Sequence, residues 1–82
     1  MIKVLFFGQL KEQLGVAGTE LHTEPSLTVA KFLERIIQTH PQWAQHLNNE
    51  NLLVAVDQVM AKPGTLVSES SEVAFFPPVT GG

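Results

Sequence analysis

An α+β fold, with one main crossover helix on a mixed sheet, is predicted by three features of the sequence. Apolar runs of strand length lie near both ends of the chain, at 2–7, broken only by Lys3, and at 73–76. One long helical stripe lies between them, and the order of elements is strand, strand, helix, strands.

The run from Ile2 to Phe7 is interrupted only by Lys3, which predicts a buried strand ended by Gly8. Leu10 and Leu14 stand four apart before Gly15, enough for one helical turn closed by glycine. Residues 18–24 alternate weakly and predict a second strand, antiparallel to the first, broken by Pro25 and Ser26. Thr28 is suited to cap the helix that follows. Val29, Phe32, Leu33, Ile36, Ile37 and His40 form its apolar stripe, while Lys31, Glu34, Arg35 and Gln38 take the solvent side. Pro41 disfavours helical geometry at His40 and can open a short second helix with Trp43 and Leu47 on one face. Strands are predicted at 52–56, 59–61 and 72–76, with Asp57-Gln58 and Lys62-Pro63-Gly64 as turns and Ser68 to Ser71 as a polar loop.

A first strand and a last strand that are both apolar on both faces suit neighbouring central positions. With a crossover helix between them they can lie parallel, which gives a β-grasp sheet. One long helix covers only one face. On the first strand Ile2, Val4 and Phe6 share a face, and Leu5 and Phe7 share the other; on the last, Val73 and Phe75 oppose Ala74 and Phe76. One apolar face is therefore expected to lack a cover and to bind a partner. The simpler alternative folds the short helix and loops over it. The residues do not decide which face Phe75 occupies.

Eighty-two residues make one domain, and a division into a globular part at 1–76 and a flexible tail at 77–82 is expected. A net charge of −3, with five scattered Lys and Arg residues, argues against nucleic-acid binding. No charged leader precedes an apolar run and nothing approaches the length of a membrane span, so a cytoplasmic protein is expected. The absence of cysteine excludes disulfides, thiolate nucleophiles and cysteine metal sites.

The ending Phe75-Phe76-Pro77-Pro78-Val79-Thr80-Gly81-Gly82 is the most informative segment. Proline has no N–H for a sheet ladder, so the last strand stops at Phe76. Two prolines favour an extended spacer, and the arm from Pro77 to Gly82 can reach about 20 Å at roughly 3.3 Å per residue. Gly81 and Gly82 lack a Cβ and can enter a narrow channel. The only reactive group on this arm is the carboxylate of Gly82, which points to a chain handled by a partner enzyme rather than an enzyme itself. A frayed, inert end is the bland reading of Gly-Gly alone.

Other constellations carry less. No spacing puts two of His22, His40 and His46 on one helical turn, so no metal site is expected, and His40 reads as a helix-terminal residue. Glu20 and Glu24 read as solvated strand-edge charge, and Ser68, Ser70 and Ser71 as loop serines without a partner base. Gly64-Thr65 lacks the glycines and lysine of a phosphate loop, and Trp43 reads as packing.

The β-grasp order, the opening Met1-Ile2-Lys3-Val4-Leu5-Phe6-Phe7-Gly8 and the ending from Phe75 to Gly82 resemble the small, sulfur-carrying subunits of molybdopterin synthase, ubiquitin-like proteins. The resemblance implies that an E1-like adenylating partner uses ATP to activate Gly82, that a sulfur donor converts the adenylate to a thiocarboxylate, and that the sulfur passes to cyclic pyranopterin monophosphate. It implies a heterotetramer of two small and two large subunits, with the catalytic pocket on the large subunit and no cofactor held permanently by this chain. It places Phe7 and Phe75 on the docking surface and Val79, Thr80, Gly81 and Gly82 in the inserted tail, with Pro77 and Pro78 before them also touching the partner. Asp57 stands where relatives are expected to carry asparagine, and Lys11 where some carry arginine. Alternatives with the same tail are a carrier for thiamin thiazole synthesis, a protein modifier joined through Gly82 to lysines, and an inert interaction module.

Overall fold

The structure is a computed structural model that describes residues 1–23 and 26–78. Strand β1 (Ile2–Phe6) buries Ile2, Val4 and Phe6, while Lys3 is exposed and Leu5 half-buried, the period of two expected of a pleated strand. Helix α1 (Gly8–Leu14) buries Leu10. It closes on Gly15, whose φ of 78° is open to glycine and whose N–H donates to the Lys11 carbonyl. The helix is longer than the single turn the two leucines predict. Strand β2 (Gly18–Leu21) then pairs antiparallel with β1 and stops short of the 18–24 run expected. Glu24 and Pro25, at the expected end of that run, lie outside the described residues.

Strand β3 (Leu27–Thr28) leads directly into helix α2 (Val29–Thr39). The Thr28 Oγ1 accepts from the Lys31 N–H at 3.2 Å, as the cap requires. Val29 and Ala30 N–H groups donate to the Thr65 and Pro63 carbonyls, so the 62–65 turn satisfies two more donors at the helix start. Val29, Phe32 and Ile36 form the buried stripe. The helix ends at His40, and Pro41 opens a 3-10 turn (Pro41–Trp43) that runs into helix α3 (Ala44–Leu47). The His40 ring stacks on Trp43 at 3.9 Å, and Trp43 meets Phe6 edge-on at 5.3 Å.

Strands β4 (Leu53–Val56) and β5 (Val59–Met60) form a hairpin with a two-residue turn. Strand β6 (Leu66–Val67) pairs with β3 in a separate ladder, and β7 (Glu72–Phe76) ends the described fold. The main sheet has the order β2-β1-β7-β4-β5, with β1 and β7 parallel and the other pairs antiparallel. This is the β-grasp arrangement, with the first and last strands as neighbours in its centre. Phe6, Phe32 and Phe75 lie at the middle of one core together with Val4, Ile36, Leu47 and Val73. Each fully buried phenylalanine contributes about 1.5–3 kcal/mol relative to an exposed one.

The β4–β5 turn has Asp57 at φ 50° and Gln58 at φ 68°, the left-handed pair of a primed hairpin turn. Asp57 tolerates this region, and its Oδ1 accepts from the Glu72 N–H at 2.9 Å while its own N–H donates to the Glu72 carbonyl. Aspartate thus supplies the side-chain acceptor that asparagine would. Gln58 has no such compensation and carries a Cβ where glycine is favoured. Gln58→Gly should therefore raise stability by about 0.5–1 kcal/mol in a urea titration, without altering the fold.

Candidate docking surface and tail root

Every buried helical residue, from Leu10 of α1 to Leu47 of α3, joins the core on one side of the sheet. Among the described residues no helix covers the other face. Cross-strand registers divide that face into rows. Glu20, Lys3 and Glu72 make a charged row at one end, and Leu5, Ala74, Ala55 and Met60 make an apolar row beside it. Phe7, Phe76 and Leu53 lie at the far end, where β7 runs into the prolines. The face is thus graded from charged to aromatic, and its aromatic end adjoins the tail.

The Phe7 and Phe76 rings stack at 5.0 Å with their planes 10° apart, and Phe7 remains 43% exposed. With Gly8, Leu53, Met60 and Pro77 they line a shallow apolar depression. Met60, at the tip of the edge strand, is 62% exposed. An exposed stacked pair rimmed by aliphatic side chains is the kind of anchor that partner surfaces use.

Phe75 does not belong to this surface. The parallel register pairs Phe6 with Phe75, so Phe75 shares the inward face of Phe6, stacked at 6.2 Å from it and 1% exposed. The period of two then sets Phe76 beside Phe7. Position 75 was ambiguous in the sequence because β7 is apolar on both sides. Phe76, Leu53 and Met60 are surface residues that the sequence did not single out. The signal that could have found Phe76 is the register itself, which requires a long-range pairing.

Pro77 and Pro78 are half-buried, and a Cβ added to Gly8 would lie 3.3 Å from the Pro77 ring. The spacer thus begins against α1. Val79, Thr80, Gly81 and Gly82 lie outside the described residues. Of the remaining candidates, His40 is stacked on Trp43, and the His46 Nε2 is 3.3 Å from the Gln45 amide. Ser68 and Ser71 bond each other at 2.9 Å and close a turn. Among the described residues no three His, Asp or Glu side chains are grouped to hold a metal ion, and no helix is long and apolar enough to cross a membrane.

The contrast between the two phenylalanines is testable. Phe75→Ala should cost about 3–5 kcal/mol of folding stability, because it empties a core site. Phe76→Ala should cost far less in the same thermal and urea melts, since its ring is partly solvated.

Comparison with known proteins adds a second line of observation. Residues 4–82 match the ThiS family. The molybdopterin synthase sulfur carrier subunit of Escherichia coli is 40% identical over 82 residues, covering 100% of both chains. That of Haemophilus influenzae is 39% identical with the same coverage. Among solved structures, SAMP1 from Haloferax volcanii superposes with a TM-score of 0.83 at 23% identity, covering 99% of this chain and 98% of that one. That last likeness is one of fold.

Proposed function

This chain belongs to the ThiS family, and on that premise we propose that it is the sulfur carrier subunit of a molybdopterin synthase. The observation that carries the reading is full-length identity of 39% and 40% to two such subunits, over 100% of both chains in each pair. The tail composition and the aromatic face beside it supply the physical rationale.

A carboxylate is a poor electrophile until it bears a good leaving group. In the proposed cycle the Gly82 carboxylate attacks the α-phosphorus of ATP in an E1-like adenylating enzyme and releases pyrophosphate. A sulfur donor then displaces AMP, leaving a thiocarboxylate ionised near neutral pH. No cysteine is needed, because the sulfur travels on the main-chain terminus, and the chain indeed has none. The thiocarboxylate is delivered to cyclic pyranopterin monophosphate in a pocket of the large subunit, where the dithiolene is built. Two sulfurs per pterin require two carrier turnovers. In this reading the chain is not catalytic alone, binds no permanent cofactor, works in the cytoplasm and assembles as a heterotetramer with two large subunits.

The docking role falls to Phe7 and Phe76, with Leu53, Met60 and Pro77 beside them, and the inserted segment is Val79 through Gly82, with Pro78 as its spacer. Such a division of labour is physically sensible. A rigid apolar anchor fixes the domain, and the adjoining extended segment delivers a terminus with no Cβ on its last two residues into a confined site.

Incubation with ATP, a sulfide source and an adenylating enzyme should add about 16 Da to the intact mass, for oxygen replaced by sulfur. An unchanged mass with an active enzyme would overturn the carrier reading. Isopeptide-linked conjugates in a lysate would instead favour a protein modifier, and delivery of sulfur to a thiazole product the thiamin route. Removal of Gly82 should abolish sulfur loading while leaving the melting temperature and partner binding nearly unchanged. Phe7→Ala should weaken the complex with the large subunit by about 2–4 kcal/mol in a binding titration, as expected for a central aromatic anchor.

A further inference from the structure

The two edges of the main sheet end differently. Edge strand β5 is only two residues long, and beyond it the Lys62 N–H donates to the Thr65 Oγ1 while the Lys62 carbonyl accepts from the Thr65 N–H. That edge is closed by its own turn. At the other edge β2 pairs regularly with β1, and the Phe6 N–H donates to the Ala17 carbonyl at 2.8 Å. Main-chain groups along an antiparallel strand point alternately to one side and the other. Ala17, Thr19 and Leu21 therefore turn theirs toward β1, and Gly18 and Glu20 turn theirs away from the sheet. Among the described residues these outward groups bond to no other segment.

The charges along this edge select an occupant. The registers set Glu72, Lys3 and Glu20 side by side across β7, β1 and β2, a row of alternating sign that stops on an acid at the open edge. A further strand that continues the row must bring a cation or a hydrogen-bond donor opposite Glu20. The chain carries such a group two residues on, in His22, which is exposed like Glu20. Two β2 strands related by a two-fold axis pair antiparallel, and their hydrogen-bonded pairs must join residues whose groups point outward. With the axis at Glu20 two carboxylates face each other, which is destabilising. With the axis at Thr19, Glu20 faces only Gly18. With the axis at Leu21, each Glu20 lies opposite His22 of the other copy, and the two half-buried Leu21 side chains meet in a close, non-hydrogen-bonded pair.

We propose that the β2 edge is a self-association surface, on which a second copy of this chain adds antiparallel with Leu21 at the two-fold axis and Glu20 opposite His22. About four main-chain hydrogen bonds hold such a pair, so the dimer is weak and forms at high concentration. The axis falls at the charged end of the sheet, and the Phe7–Phe76 end of each copy stays uncovered.

Sedimentation equilibrium of the isolated chain from about 10 μM to about 1 mM should show a passage from monomer to dimer. Glu20→Pro removes an N–H that points away from β1, an orientation in which an edge strand tolerates proline. It should abolish the dimer while circular dichroism still reports a folded chain. If that variant does not fold, the side-chain pair is tested instead. Glu20→His and His22→Glu should each raise the dissociation constant about tenfold, and the two changes together should restore it. A chain that stays monomeric at the highest concentration overturns the proposal. So does a dimer that survives Glu20→Pro, or single variants that the double exchange does not rescue. A dimer lost instead on Phe76→Ala would place the contact on the aromatic face and overturn it too. No partner enzyme enters the experiment, so its outcome is independent of sulfur loading.

Discussion

The parallel pairing of β1 with β7 is the contact on which the rest depends. It joins the first residues of the chain to the last strand of the domain and places Phe6 opposite Phe75. Once that register is set, the inward face of both strands carries Val4, Phe6, Val73 and Phe75 into the core, and the outward face carries Phe7 and Phe76. A slip of one residue in β7 would bring Phe75 out and send Phe76 in. The pairing spans nearly the whole sequence, so its loop-closure cost is offset only when α2 and the Trp43 turn close over the inward face. The same register therefore selects both the core and the candidate docking surface.

Much of this architecture is legible from local residue patterns. The Val29–Phe32–Ile36 stripe, the Thr28 cap, the stop at Pro41 and the burial of Trp43 and Leu47 follow from helical periodicity and proline chemistry. The apolar runs at the two ends mark central strands. The two-residue strands β3 and β6 are another matter, because Leu27–Thr28 and Leu66–Val67 are too short to show any period. They form because the 62–65 turn caps the start of α2, a contact between segments more than thirty residues apart.

The candidate site divides in the same way. Phe7 stands on the outward side of a strand whose inward set is plain from Ile2, Val4 and Phe6. Phe75 and Phe76 are adjacent and equally apolar, and only the pairing with β1 assigns them. Leu53 and Met60 reach the surface through pairings with β7 and within the β4–β5 hairpin. Tertiary neighbours, not residue type, bring them to Phe7. Family membership adds what geometry leaves open, namely the chemistry to which an aromatic face beside a Gly-Gly ending is suited.

The central place of β7 also bears on how the domain responds to load. A pull directed along the axis of β7 from its Pro77 end would act on a strand inside the sheet. That strand is hydrogen-bonded on both sides, to β1 and to β4. Tension then loads two ladders in shear, with many bonds sharing the force, whereas a terminal strand at a sheet edge would peel away one bond at a time. The chain can be handled by its end without being unravelled from it.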